Sequence, residues 1–131
     1  MKPVTPDVPR ILRLFFIFHF ALDILFAIPM FIAPVRFLGF LGWINIDPVA
    51  SRLVAAALFG IGIESLIGCR ASADSFLSLL NLKIIWSVAA VAGILISIAE
   101  MGWAPPFALW LFLAIFTGFN ALWIFWRFRL M

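Results

Sequence analysis

The sequence predicts an all-α polytopic membrane protein, a bundle of four transmembrane helices, and three observations predict it. Hydrophobic residues fill 66% of the 131 positions and charged residues only 11%, whereas a soluble domain carries about a quarter charged residues. Four apolar runs, each near the roughly 20 residues needed to cross a hydrocarbon core about 30 Å thick, are separated by Pro, Gly and polar breakers. The runs also lack the polar–apolar alternation of strands. In lipid the backbone must satisfy its polar groups within each segment, which leaves helices as the spanning form.

The first span is predicted over residues 11–33, with Pro29 as a kink and Pro34 as its end. Residues 35–46, with Arg36, Gly39, Gly42, Trp43 and Asn45, are apolar but too short to cross. They read as an interfacial or re-entrant segment with Trp43 at headgroup level. The second span, 48–68, opens on Asp47-Pro48, where Asp caps and Pro fills the first turn. The third, 75–99, follows the candidate caps Ser72 and Asp74 and stops at Glu100, Gly102 and Pro105-Pro106. The fourth, 106–126, ends before Arg127 and Arg129. With no linker or repeat, the chain reads as one membrane domain, 1–131.

The net charge of +3 lies beside apolar runs, which points to anionic lipid headgroups and away from nucleic acid. Lys2, Arg10, Arg13, Arg70, Arg127 and Arg129 flank one side of the predicted bundle, against Arg36 and Arg52 on the other. That asymmetry predicts both termini in the cytoplasm, and the inner membrane if the protein is bacterial. The first run is too long for a secretory h-region and reads as a retained span. The single cysteine, Cys69, excludes an internal disulfide. A P-loop, a nucleotide-binding glycine fingerprint, a metal-ligand spacing and a serine nucleophile elbow are all absent. No motif names a cofactor, and none marks an enzyme.

An ionisable group inside a span costs a few kcal/mol unless it has a partner or a role. Five polar residues stand out as candidate ligand contacts: His19, Asp23, Glu64, Lys83 and Asn120. At about 1.5 Å per residue, Glu64 lies roughly 8 Å from the predicted cytoplasmic ends, His19, Lys83 and Asn120 about 12 to 14 Å, and Asp23 about 18 Å. His19 and Asp23, four apart, share a helix face and form one unit. Glu64 and Lys83, on consecutive helices, read as an ion pair, either a structural clasp or part of a site. Asn120 reads as interhelical glue or as a ligand contact. Ala56, Gly60, Glu64 and Gly68 form a small-residue stripe that lets a neighbouring helix come close, and Ser65, Ser78, Ser87 and Thr117 add hydroxyls. Trp103, Trp123 and Trp126 are expected at the interfaces, with Trp86 and Trp110 deeper. The sixteen phenylalanines are expected to be mostly lipid-facing bulk.

The four spans, Ser51-Arg52-Leu53-Val54 opening the second, the glycine-containing Leu58-Phe59-Gly60-Ile61-Gly62, and Lys83 in the third resemble small DoxX-like membrane proteins. The layout is also similar to the EXPERA group, whose members hold sterol-like or cationic amphiphiles between membrane carboxylates. That resemblance implies Asp23 and Glu64 as the carboxylate pair, while the built-in cation of Lys83 departs from it. The first expectation is therefore a protein that binds a hydrophobic or amphiphilic small molecule, lipid-like or quinone-like, in the cytoplasmic half of the bundle. The alternatives are a quinone-linked redox accessory subunit or isomerase using His19 and Asp23, and a structural subunit or homo-oligomer. Its partners would be membrane lipid, a hydrophobic ligand or further copies of itself.

Overall fold

The computed structural model describes residues 7–131; Lys2, counted above for orientation, lies outside them. Five helices follow in order: α1 (Arg10–Ile32), α2 (Pro34–Phe40), α3 (Pro48–Gly68), α4 (Ala73–Glu100) and α5 (Phe107–Leu130). All but α2 are long and apolar enough to cross a bilayer, the makeup of an integral multi-pass membrane protein.

Local chemistry sets the helix ends. Asp47 Oδ1 accepts the backbone N–H groups of Val49 and Ala50 at 2.8 and 3.2 Å, capping α3, with Pro48 in the first turn where its missing N–H costs nothing. Ser72 occupies the N-cap position of α4, but its hydroxyl meets Ser75 Oγ at 3.2 Å and leaves the backbone uncapped. Helices α2 and α4 end the same way: the N–H of Trp43 bonds Leu38 O and that of Trp103 bonds Ile98 O, with Gly42 (φ 95°) and Gly102 (φ 63°) making the left-handed turn between. These are Schellman endings, which favour glycine because it has no Cβ to clash. The α2 segment is the predicted non-spanning piece, shorter than expected. Helix α5 runs four residues past its expected end at 126 and takes in Arg127 and Arg129.

The long helices form two close pairs, α1 with α3 and α4 with α5, while the backbones of α3 and α4 touch only sparsely. Large side chains bridge the space between the pairs. Near the chain termini and the α3–α4 turn, Leu12, Phe16, Phe76, Leu80 and Trp123 are buried together with Val8, Cys69 and Leu130. The ring of Phe16 lies 4.5 Å from that of Phe76 and 5.6 Å from that of Trp123, edge-on to the latter. Towards the other end, Ala27 and Met30 of α1 pack against Ala55 and Leu58 of α3, and Phe26 reaches Phe112 of α5 at 5.4 Å. Leu25, Ile32, Leu53, Ile67 and Ile85 face outward, as lipid-facing positions do.

Two aromatic expectations are corrected. Trp123 and Trp126 are core residues, because the interior-facing side of α5 passes through them. Phenylalanine is not mainly lipid-facing bulk either: Phe16 and Phe76 are fully buried, and others span a gap that smaller side chains would leave empty.

Candidate functional site

The site is built on one face of each of three helices. On α1 the buried positions are Leu12, Phe16, His19, Asp23, Ala27 and Met30, a three-and-four spacing that sets His19 and Asp23 in line with the core. On α3 the same spacing turns Ser51, Ala55, Leu58, Gly62 and Ser65 inward. On α4 it turns Phe76, Leu80, Lys83 and Ser87 inward. Polar and apolar positions share one stripe, so folding the apolar core also buries the polar groups.

Their meeting point is His19 Nδ1. Lys83 Nζ approaches it to 3.1 Å and donates to Ser65 Oγ at 2.5 Å. With Lys83 as an ammonium group, which has donors only, Nδ1 is the acceptor and the ring proton is assigned to Nε2. The ammonium also lies 4.9 Å from the ring centre of Phe16 and 5.1 Å from that of Trp123, whose electron-rich faces compensate part of a buried positive charge. Asp23 Oδ2 is 2.9 Å from the same imidazole nitrogen, yet it is sealed from solvent and receives no hydrogen bond. A nitrogen that accepts from Lys83 has no proton left to give. Gly62 allows this arrangement: a Cβ there would lie 2.8 Å from Asp23 Cβ and 3.3 Å from Oδ2.

The rings of Phe119 and Trp123 hold the imidazole edge-on at 4.8 and 5.3 Å. A second polar link lies beside the first. Asn120 Nδ2 donates to Ser87 Oγ at 2.8 Å and to Ile84 O at 3.3 Å, and the Ser87 hydroxyl in turn donates to the Lys83 carbonyl at 2.7 Å. Asn120 thus ties α5 to α4.

Between the two helix pairs lies a cavity of about 140 Å³. His19, Asp23, Lys83 and Ser87 supply its polar wall; the rest is apolar, with Leu58 and Met30 among six aromatic rings. Of the five sequence candidates, His19, Asp23 and Lys83 come together on this cavity. Asn120 stands behind it and reaches it through Ser87.

Glu64 does not join them. The expected Glu64–Lys83 ion pair is absent among the described residues, and Lys83 is held by Ser65 and His19 instead. Glu64 is exposed, because its neighbour Ser65 takes the inward position and one residue on a helix is about 100° of rotation. The Ala56, Gly60 and Glu64 stripe faces outward with it. The carboxylate pair implied by the EXPERA resemblance is therefore divided, with Asp23 on the cavity and Glu64 on the outer surface. Sequence reasoning did not assign Ser65 to Lys83, nor Phe119 and Trp123 to the imidazole. For Ser65 the signal was its place in the series Ser51, Ala55, Leu58, Gly62, Ser65.

Compared with known proteins, the chain matches no family model, no curated protein and no solved structure.

Proposed function

We propose that this protein binds a hydrophobic or amphiphilic small molecule between its two helix pairs, with the polar part of the ligand at His19, Asp23 and Lys83. The supporting observation is the coincidence of an aromatic-lined cavity with a cluster of buried ionisable side chains. Apolar pockets with a few convergent polar groups are the usual form of a small-molecule site, and ionisable residues inside a membrane bundle mark functional positions. A purely structural clasp would be served by Lys83, Ser65 and His19 without any open space beside them. The excess of basic residues at the end that carries the termini supports a polar wall in the cytoplasmic half, by the positive-inside rule.

The test is extraction of full-length protein purified from native membranes, followed by mass spectrometry of the organic phase. A small amphiphile at near-stoichiometric amounts in wild type and depleted in Leu58→Trp, which fills the cavity, is the expected result. Equal recovery of every lipid from both proteins would overturn the proposal.

An oligomeric subunit is the second reading, favoured by one observation: Gly60 has no atom within 4 Å of its would-be Cβ and shares an outward face with Ala56 and Glu64. Cross-linking in native membranes through Gly60→Cys is expected to trap a dimer if that face is an interface.

A further inference from the structure

Resting on that binding reading, we infer that the cavity selects a neutral aromatic ring carrying a hydroxyl group, a phenol-type head, over its ether counterpart. Three features of the polar wall lead there. Lys83 has its donors engaged: one bond goes to His19 Nδ1, one to Ser65 Oγ, and the remaining side of the ammonium faces the rings of Phe16 and Trp123. Asp23 is the opposite case. It lines the cavity and is only 8% exposed; Oδ2 is sealed beside the imidazole, and Oδ1, which no donor among the described residues reaches, is the oxygen left to a ligand. A buried carboxylate without donors is a group awaiting one, so the ligand must donate.

Charge gives the second restriction. Asp23 and Lys83 both approach one imidazole nitrogen, at 2.9 and 3.1 Å, and so neutralise each other locally. A cationic ligand would crowd the ammonium and an anionic one the carboxylate; a neutral donor meets neither obstacle.

Size and lining give the third. A void of about 150 Å³ accepts benzene, so the cavity of about 140 Å³ holds one aromatic ring and excludes a steroid nucleus. Phe26, Trp86, Phe112, Phe116, Phe119 and Trp123 present edges and faces to it, the surroundings in which a ring packs best. Val54 lines the same space and is 45% exposed, leaving a way out towards lipid for a tail.

The experiment titrates 4-bromophenol and 4-bromoanisole into wild-type full-length protein in phosphatidylcholine nanodiscs at neutral pH, where the phenol keeps its proton. The bromine quenches tryptophan fluorescence, and Trp86 and Trp123 report because they line the cavity. Probe dissolved in the bilayer quenches without saturation, and saturable quenching measures occupancy. The phenol is expected to saturate at a concentration roughly tenfold or more below the anisole, the effect of one hydrogen bond to a charged acceptor. Asp23→Leu is expected to bring the ratio of the two saturation concentrations close to one. Equal affinity of wild type for both probes would overturn the inference and leave the binding proposal standing. Absence of saturable quenching by either probe would overturn both. Because the decisive ratio is measured on wild type, it does not depend on a variant that folds.

Discussion

His19, Asp23 and Lys83 meet on a single nitrogen, and removing any one of them strands another. Lys83→Met fits a similar volume but leaves Asp23 as an uncompensated buried charge and deprives His19 and Ser65 of their donor. Breaking a buried charge pair in this way costs about 3–5 kcal/mol, and a chemical-denaturation series in detergent should show a loss of that size. Combining it with Asp23→Leu should restore part of the loss, because the two charges would then be removed together. Gly62 is the second sensitive position. Gly62→Ala forces a methyl to 2.8 Å from Asp23 Cβ on a close backbone contact, and overpacking of this kind costs about 1–3 kcal/mol. Gly60→Ala, two residues away with nothing within 4 Å, is expected to stay within about 0.5 kcal/mol of wild type.

At the level of single helices, the ends follow signals that the sequence states openly, and the inward faces do not. Asp47-Pro48, Gly42, Gly102 and Pro105-Pro106 each have a backbone consequence that holds in any surroundings, so the spans were legible to within a few residues. The exception is α5, where Arg127 and Arg129 looked like a stop but continue the helix; Arg127 Nε donates to Asn81 Oδ1 of α4 at 2.7 Å. Faces are harder because a membrane helix is apolar towards lipid and towards its neighbours alike, and the amphipathic stripe that orients a soluble helix is missing. Depth alone therefore points Glu64 inward, whereas the helix turns Ser65 there. Gly102 offers a test of the endings. Gly102→Ala places a Cβ at φ 63° and should cost about 1–2 kcal/mol, whereas Gly93→Ala, in the middle of α4 with open space around it, should leave thermal stability unchanged.

The whole molecule is two helix pairs held apart by aromatic side chains, and the site exists because they do not close. Phe16, Phe76 and Trp123 fill the gap near the termini, Met30 and Leu58 line its other end, and the cavity lies between with the polar cluster on its wall. That some polar residues converge was readable from their matched depths in four spans. The pairing of Lys83 with His19 was not, since it depends on helix rotation and on which pairs of helices pack closely. The same architecture places Val8, Cys69, Ala73 and Leu130 in one cluster, so the start of α1 and the end of α5 lie on one side. Reporter fusions at the two termini are accordingly expected to give the same compartment.

Because His19 is the only histidine, histidine labelled with ¹⁵N reports on the site alone, and solid-state NMR of the full chain in lipid bilayers reads its two ring nitrogens directly. The predicted spectrum has a protonated Nε2 and an unprotonated, hydrogen-bonded Nδ1, with Nδ1 shifting in Lys83→Met and both nitrogens responding to 4-bromophenol. A proton resident on Nδ1, or ring signals indifferent to Lys83 and to the phenol, would contradict the arrangement on which the binding proposal rests.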